Sequence, residues 1–182
     1  MRTIILMSLC LLGLVGKTQA QVYMTTTGLT QIFSETPMEN ISADNKVVSA
    51  ALNTDTKDVA VRIQVIGFKF PNKLMEEHFN ENYMETEKFP TSSFKGKIID
   101  VIDFQKSGTY EVNIKGILEM HGIKQEKTIK AKLQIGSDKI VVDAPFDVKL
   151  ADFKVDVPKL VFEKIAEVIS VKNRFILLPK TQ

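Results

Sequence analysis

Residues 109–135 read TYEVNIKGILEMHGIKQEKTIKAKLQI, and they decide the fold because apolar and polar residues alternate through two consecutive runs. A period of two is the pattern of a β-strand that buries one face. Only His121 and Gly122 separate the runs, which is the length of a tight hairpin turn, and glycine tolerates the positive φ that such a turn needs. The stretch therefore predicts two long antiparallel strands with one shared apolar face.

The same alternation recurs along the chain and predicts eight strands: 22–34, 46–53, 58–68, 91–104, 108–120, 123–135, 139–150 and 167–178. Short turn signals, such as QKSG at 105–108 and GSDK at 136–139, indicate antiparallel meanders. Eight such strands can form either a two-sheet sandwich or a closed barrel. Most of the predicted strands exceed the roughly five or six residues of a typical strand, which favours a barrel without exposed edges. The predicted fold class is all-β, an eight-stranded antiparallel barrel.

The first twenty residues have the pattern of a secretory signal peptide. Arg2 precedes an almost unbroken apolar run over residues 4–15, and small residues follow at Thr18 and Ala20. The run is short for a helix that must span about 30 Å of hydrocarbon. We therefore expect cleavage after Ala20, a mature barrel domain over residues 21–182 that is periplasmic or secreted, and no integral membrane segment in it.

Removal of residues 1–20 changes the composition in two ways. The mature chain would carry 22 basic and 22 acidic residues, and this balance gives no reason to expect a nucleic-acid partner. It would also lose Cys10, the one cysteine of the chain, which excludes thiol catalysis and thiolate metal sites. With only His78 and His121 as histidines, we expect no metal site and no cofactor.

An insertion with a different pattern lies between the third and fourth predicted strands. Residues 70–82, FPNKLMEEHFNEN, have helical spacing, and Pro71 is suited to a helix start. One face would carry Phe70, Leu74, Met75, His78 and Phe79. We expect a short helical lid over one mouth of the barrel. The acids Glu76, Glu77, Glu81, Glu85 and Glu87 would lie on its solvated side or in the following loop, without a catalytic role.

Small residues at inward-facing strand positions leave two interpretations open. Gly67, Gly96, Gly116, Ala131 and Ala144 could leave room for a ligand inside the barrel, since an eight-stranded barrel is either just filled or holds one small molecule. The glycines could equally mark bends, bulges or close strand packing.

Two segments resemble the YceI-like family of bacterial exported proteins. The first, residues 74–96, contains Phe89, Pro90 and Phe94 in the spacing that follows the family's helical segment. The second, residues 108–133, matches the family's next strand and its lysine-rich hairpin at Gly108, Tyr110, Val112, Leu118, Gly122, Lys124 and Thr128. The resemblance extends over roughly residues 22–178. It implies a lipocalin-like barrel that holds a polyisoprenoid chain in an elongated cavity.

We therefore predict a binding protein with no catalytic residues, whose partner is an apolar lipid or isoprenoid. Two alternatives stay open: an enzyme acting on a lipid-like substrate in the same cavity, and a filled barrel that serves as an interaction module. A homodimer is also left open. The predicted lining residues are Phe68, Phe70, Leu74, Phe79, Phe94, Ile98, Tyr110, Val112, Ile114, Leu118, Ile129 and Phe146.

Overall fold

The computed structural model describes residues 22–156 and 165–180, so the predicted signal peptide lies outside the described residues. The described residues form nine strands. These are β1 (Val22–Glu35), β2 (Asn40–Asn53), β3 (Asp58–Gln64), β4 (Phe68–Lys69), β5 (Thr91–Ile98), β6 (Gly108–Met120), β7 (Ile123–Ile135), β8 (Ile140–Lys149) and β9 (Val168–Pro179).

The eight long strands close into an antiparallel barrel, as the alternation predicts. They pair in the order β1-β2-β3-β5-β6-β7-β8-β9, and β9 pairs back onto β1. The two-residue strand β4 lies outside this circuit and pairs with β2. The hairpin between β6 and β7 is tight: His121 has φ 51° and Gly122 has φ 72°, the left-handed values of a two-residue turn.

Three predicted strand bounds are wrong. The second strand begins at Asn40, whereas the predicted start is residue 46. The predicted start is too late because the inward residue Asn45 is polar and interrupts the apolar pattern. This side chain is fully buried and satisfied, with Nδ2 donating to the Gln64 carbonyl (2.8 Å) and Oδ1 accepting from the Val47 amide (2.8 Å). The third strand ends early in a 3₁₀ turn, Val65–Gly67, and the predicted strand 91–104 ends at Ile98.

The inward glycines are explained by close packing and not by a cavity. Gly96 and Gly116 are register partners on β5 and β6. A Cβ on Gly96 would lie 2.6 Å from the Lys115 carbonyl oxygen, and one on Gly67 would lie 2.7 Å from Asn45 Oδ1. Of the five small residues, Ala144 is the one that lines a cavity among the described residues.

The barrel is filled at one end and widens toward the other. At the filled end Leu52, Ile98, Leu133, Ile140 and Leu177 are each at most 2% exposed. Toward the other end, β7 and β8 diverge. Only residues 132–135 of β7 pair with residues 140–143 of β8, and the rest of these two strands is not paired with each other. This wide end, which we call the mouth, lies under the helical insertion. None of the helices in the described ranges has the length and apolar content needed to cross a membrane.

Candidate ligand-binding site

The insertion over the mouth is held by a cluster of three phenylalanines. Helix α1 (Lys73–His78) continues into a π-helical turn, Phe79–Tyr83. The Phe79 ring packs edge-on against Phe68 with 5.4 Å between ring centroids, and against Phe70 at 5.0 Å. The helix starts two residues later than Pro71 predicts, because the Asn72 side chain caps it by accepting from the Leu74 amide (2.9 Å).

Beneath the insertion lies a cavity of about 500 Å³, which we call the upper cavity. This volume falls in the range of small-molecule sites, which is roughly 300–1,000 Å³. Its wall is mainly aliphatic and aromatic, and three hydroxyl side chains, Thr30, Ser34 and Ser92, are buried in it. Burial also raises the pKa of the Tyr83 hydroxyl on this wall above its ordinary value.

A second cavity of about 70 Å³ lies deeper in the barrel, and we call it the lower cavity. It is lined by core residues of the filled end, such as Leu52, Leu133 and Leu177. It exists partly because Ala50 and Ala144 are small at positions where larger side chains would fill the barrel.

Ten of the twelve predicted lining residues line one of the two cavities. Phe68, Phe70, Leu74, Phe79, Leu118 and Phe146 line the upper cavity. Phe94, Ile98, Ile114 and Ile129 line the lower cavity, together with Leu118 and Phe146.

The other two predicted residues, Tyr110 and Val112, line neither cavity. They share the inward pattern of β6 but pair with Leu133 and Ala131, toward the filled end of the barrel. Val112 is 4% exposed in the core, and the Tyr110 hydroxyl donates to the Lys106 carbonyl (2.9 Å). Alternation indicates which face of a strand is inward, but not how far along the barrel axis each residue lies.

The sequence interpretation missed several lining residues. Ile32, Ile41, Val148, Ile169 and Val171 line the upper cavity from β1, β2, β8 and β9. Their inward positions follow from the same period of two, which could have identified them. Tyr83 and Met84, in contrast, come from the insertion, where no strand periodicity applies.

Two of the acids predicted to be solvated have specific partners, and of these Glu85 is still 43% exposed whereas Glu76 is not. Glu76 is only 12% exposed; its Oε1 lies 2.7 Å from Lys69 Nζ, and its Oε2 accepts from the Phe70 amide (3.2 Å). The Lys69 contact, followed by the Phe70 amide, lowers the pKa of the Glu76 carboxyl. Glu76 therefore fastens α1 to β4. Glu77, Glu81 and Glu87 are exposed, as predicted.

The second partnered acid, Glu85, fastens the loop after the insertion. Its Oε2 lies 2.8 Å from Nε2 of His121, whose Nδ1 lies 3.1 Å from the Phe153 carbonyl oxygen. The His121 ring also packs on Phe89 at 4.6 Å. His121 thus connects the loop to the β6–β7 hairpin and to the 3₁₀ turn Leu150–Phe153. Within the described ranges, no three metal-ligating side chains cluster.

The contact between Lys69 and Glu76 can be tested by comparing the stability of two variants. Glu76→Gln should lower the free energy of unfolding by about 1 kcal/mol, because it removes the ion pair with Lys69. Because the folded state lowers the pKa of this carboxyl, its stabilisation is present at neutral pH. It is lost as the pH falls from the ordinary glutamate value, 4.5, through the lower folded value. The difference between wild type and variant in denaturant unfolding should therefore shrink on acidification.

Glu77→Gln is the control for that pair. Glu77 is exposed one residue further along α1 and makes no ion pair with any described residue, so its variant should unfold like wild type at every pH. Equal stability of the two variants at neutral pH would show that the Lys69–Glu76 contact contributes nothing measurable.

Comparison with known proteins relates this architecture to solved structures. A polyisoprenoid-binding domain from Saccharophagus degradans, implicated in plant cell wall breakdown, superposes with a TM-score of 0.75 at 12% identity, over 89% of this chain and 100% of that one. BcnA of Burkholderia cenocepacia superposes with a TM-score of 0.69 at 13% identity, over 82% of this chain and 95% of BcnA. The YCEI protein of Campylobacter jejuni superposes with a TM-score of 0.58 at 16% identity, over 77% of this chain and 85% of that one.

At such identities the structural likeness establishes the fold alone. A search of curated proteins found no match. The family assignment comes from the family model for the YceI-like domain, which matches residues 17–176 and so spans the insertion and all of the barrel except the last residues of β9. With the resemblance of residues 74–96 and 108–133 and the closed eight-stranded barrel, this match shows that the chain belongs to the YceI-like family.

Proposed function

We propose that this protein is an exported carrier that holds an apolar chain, a polyisoprenoid or a similar lipid, in the upper cavity. The observation that carries the proposal is the cavity itself: about 500 Å³ of space with a mainly apolar wall and a mouth under the insertion. A hydrocarbon chain would be buried against such a wall, whereas a highly charged ligand would find few partners there. The name of the S. degradans domain, polyisoprenoid binding, supports the same class of ligand.

Burial supplies enough free energy for such a function. At about 25 cal/mol per Å², covering several hundred Å² of ligand would contribute on the order of 10 kcal/mol before the entropic costs of association. About half of the described lining residues belong to strands of the closed barrel, so this part of the wall is pre-formed and needs little ordering on binding.

The lining chemistry favours binding over catalysis. Among the described lining residues the titratable groups are Glu39, His78 and Tyr83. A nucleophilic serine needs a base within hydrogen-bond reach. Ser34, however, accepts a hydrogen bond from the Ala166 amide (2.8 Å), and none of the three titratable groups is hydrogen bonded to Ser34 or Ser92.

Binding can be tested with two tryptophan variants of one strand. Delipidated protein should bind a fluorescent polyprenyl analogue saturably, and an unlabelled polyprenol should displace it. Ile169→Trp should abolish binding because Ile169 lines the upper cavity from β9. Ile176→Trp should leave binding unchanged, since Ile176 is on the outer surface of the same strand and is 51% exposed. Equal affinity of both variants would contradict binding in this cavity.

Export makes a separate prediction that does not depend on the ligand. The apolar run over residues 4–15 and the small residues at Thr18 and Ala20 should direct cleavage after Ala20. Intact-mass analysis of protein from a periplasmic or secreted fraction should therefore find Gln21, or its cyclised pyroglutamyl form, at the N-terminus. Protein that retains residues 1–20 and fractionates with membranes would refute export by this route.

A further inference from the structure

We propose that the lower cavity is a subsite for the far end of a long hydrocarbon chain, and that the Phe146 ring controls passage into it. The inference rests on the proposed function, because it assigns the chain that enters the upper cavity a direction and a length limit. The two cavities, about 500 Å³ and about 70 Å³, would then act as one site for chains that pass the ring.

The two cavities share part of their wall. Four residues line both of them, and we call these the collar: Ile63, Ser92, Leu118 and Phe146. They come from four different strands, β3, β5, β6 and β8, so the collar surrounds much of the barrel interior. Ile63 and Ser92 are register partners, which fixes two of the four at the same height. The collar is therefore the part of the barrel wall where a chain in the upper cavity would come next to the lower cavity.

Phe146 is the collar member best placed to open and close it. It has the largest side chain of the four and is only half-buried, whereas Ser92 and Leu118 are at most 8% exposed. Two positions away on the same face of β8 lies Ala144, which lines the lower cavity. Because that neighbour is a methyl group, the ring has space beside it in which to change rotamer. A chain pressing on the collar would thus displace the ring more readily than the backbone.

The far end of the lower cavity is apolar and suits a hydrocarbon end. Leu52, Leu133 and Leu177 line it and are each at most 2% exposed, so a chain end beside them would be shielded from water. Its amide side chain, Asn173, is already satisfied: Nδ2 donates to the Ala144 carbonyl (3.2 Å) and Oδ1 accepts from the Thr30 hydroxyl (2.6 Å). An apolar chain end would therefore meet mostly hydrocarbon and displace no hydrogen bond of Asn173.

The difference in volume predicts a length preference. Chains that fill only the upper cavity stop at Phe146, and each further stretch of chain must fit into the much smaller lower cavity. Affinity should therefore rise with chain length until both cavities are filled, and then stop rising.

The test uses displacement of a fluorescent polyprenyl analogue by polyprenyl alcohols of increasing length. Phe146→Trp should move the length at which affinity stops rising to a shorter alcohol, and Phe146→Ala should move it to a longer one. For the alcohols at the boundary we expect changes in Kd on the order of tenfold, as for a few methylenes gained or lost in an apolar pocket. Phe146→Leu provides a milder opening should the alanine variant fold poorly.

Phe70→Ala is the matched control, because Phe70 lines the upper cavity but not the lower one. It should weaken binding of all lengths by a similar factor and leave the limit unchanged. If the Phe146 variants keep the wild-type length limit while wild type binds polyprenyl alcohols, control of passage by Phe146 is refuted and the carrier function stands. If wild type binds no polyprenyl alcohol of any length, the proposed function fails and the subsite with it.

Discussion

Replacing Phe79 with alanine should lower the free energy of unfolding by about 2–3 kcal/mol, and it should weaken ligand binding as well. Removing a fully buried phenylalanine ring costs about 3–5 kcal/mol, and Phe79 is half-buried, which reduces the expected cost. The ring contacts Phe68 and Phe70, so its loss opens the cluster that holds the insertion over the mouth. The same ring lines the upper cavity and would cover the bound chain.

Thermal melts and probe displacement on the same protein distinguish the two roles of Phe79. Glu77→Gln, on the exposed side of α1, is the control and should match wild type in both measurements. If Phe79→Ala melts earlier but binds a polyprenol with unchanged affinity, the insertion only stabilises the barrel and is not a lid over the ligand.

The second large effect is expected from Gly116→Ala in β6. A Cβ at this position would lie 2.8 Å from the carbonyl carbon of Lys95 and would also collide with the Cα of its register partner Gly96. Both obstacles are backbone atoms of β5, so they cannot turn away as a side chain can. We expect a loss of about 3 kcal/mol, at the upper end of the usual cost of overpacking.

Gly136→Ala is the matched control for that substitution. Its Cβ would have the Lys139 carbonyl oxygen at 3.3 Å as the nearest atom, in the turn between β7 and β8. Denaturant unfolding should find this variant close to wild type and Gly116→Ala well below it. Equal midpoints for the two variants would contradict the close approach of β5 and β6.

Most of the barrel could be predicted because its strands carry a clear alternation. The strands 108–120 and 123–135 have the predicted bounds, and β8 and β9 differ from prediction by a single residue at each end. The errors lie where tertiary contacts override the local pattern. Asn45 is an inward polar residue, and it is acceptable only because Gln64 and Val47 satisfy it. These partners could not be predicted from the apolar pattern of the strand.

The candidate site was less predictable than the fold for a related reason. Alternation separates inward from outward residues, but the tilt and register of each strand decide their height in the barrel. Tyr110 and Leu118 share a face of β6, yet only Leu118 reaches a cavity. Glu76 and Glu77 are adjacent glutamates of the same helix, yet only Glu76 forms an ion pair with Lys69, a residue that precedes the helix.

Native mass spectrometry of the protein, purified without detergent, shows whether the barrel holds a lipid. We expect a species heavier than the polypeptide by the mass of one apolar chain, which organic extraction removes and which lipid analysis identifies as an isoprenoid or a similar lipid. The Ile169→Trp variant, whose cavity is blocked, should lack this species, and Ile176→Trp should retain it. A wild-type protein that carries no extra mass, and gains none after incubation with polyprenyl alcohols, would show that the barrel is not a carrier of apolar chains.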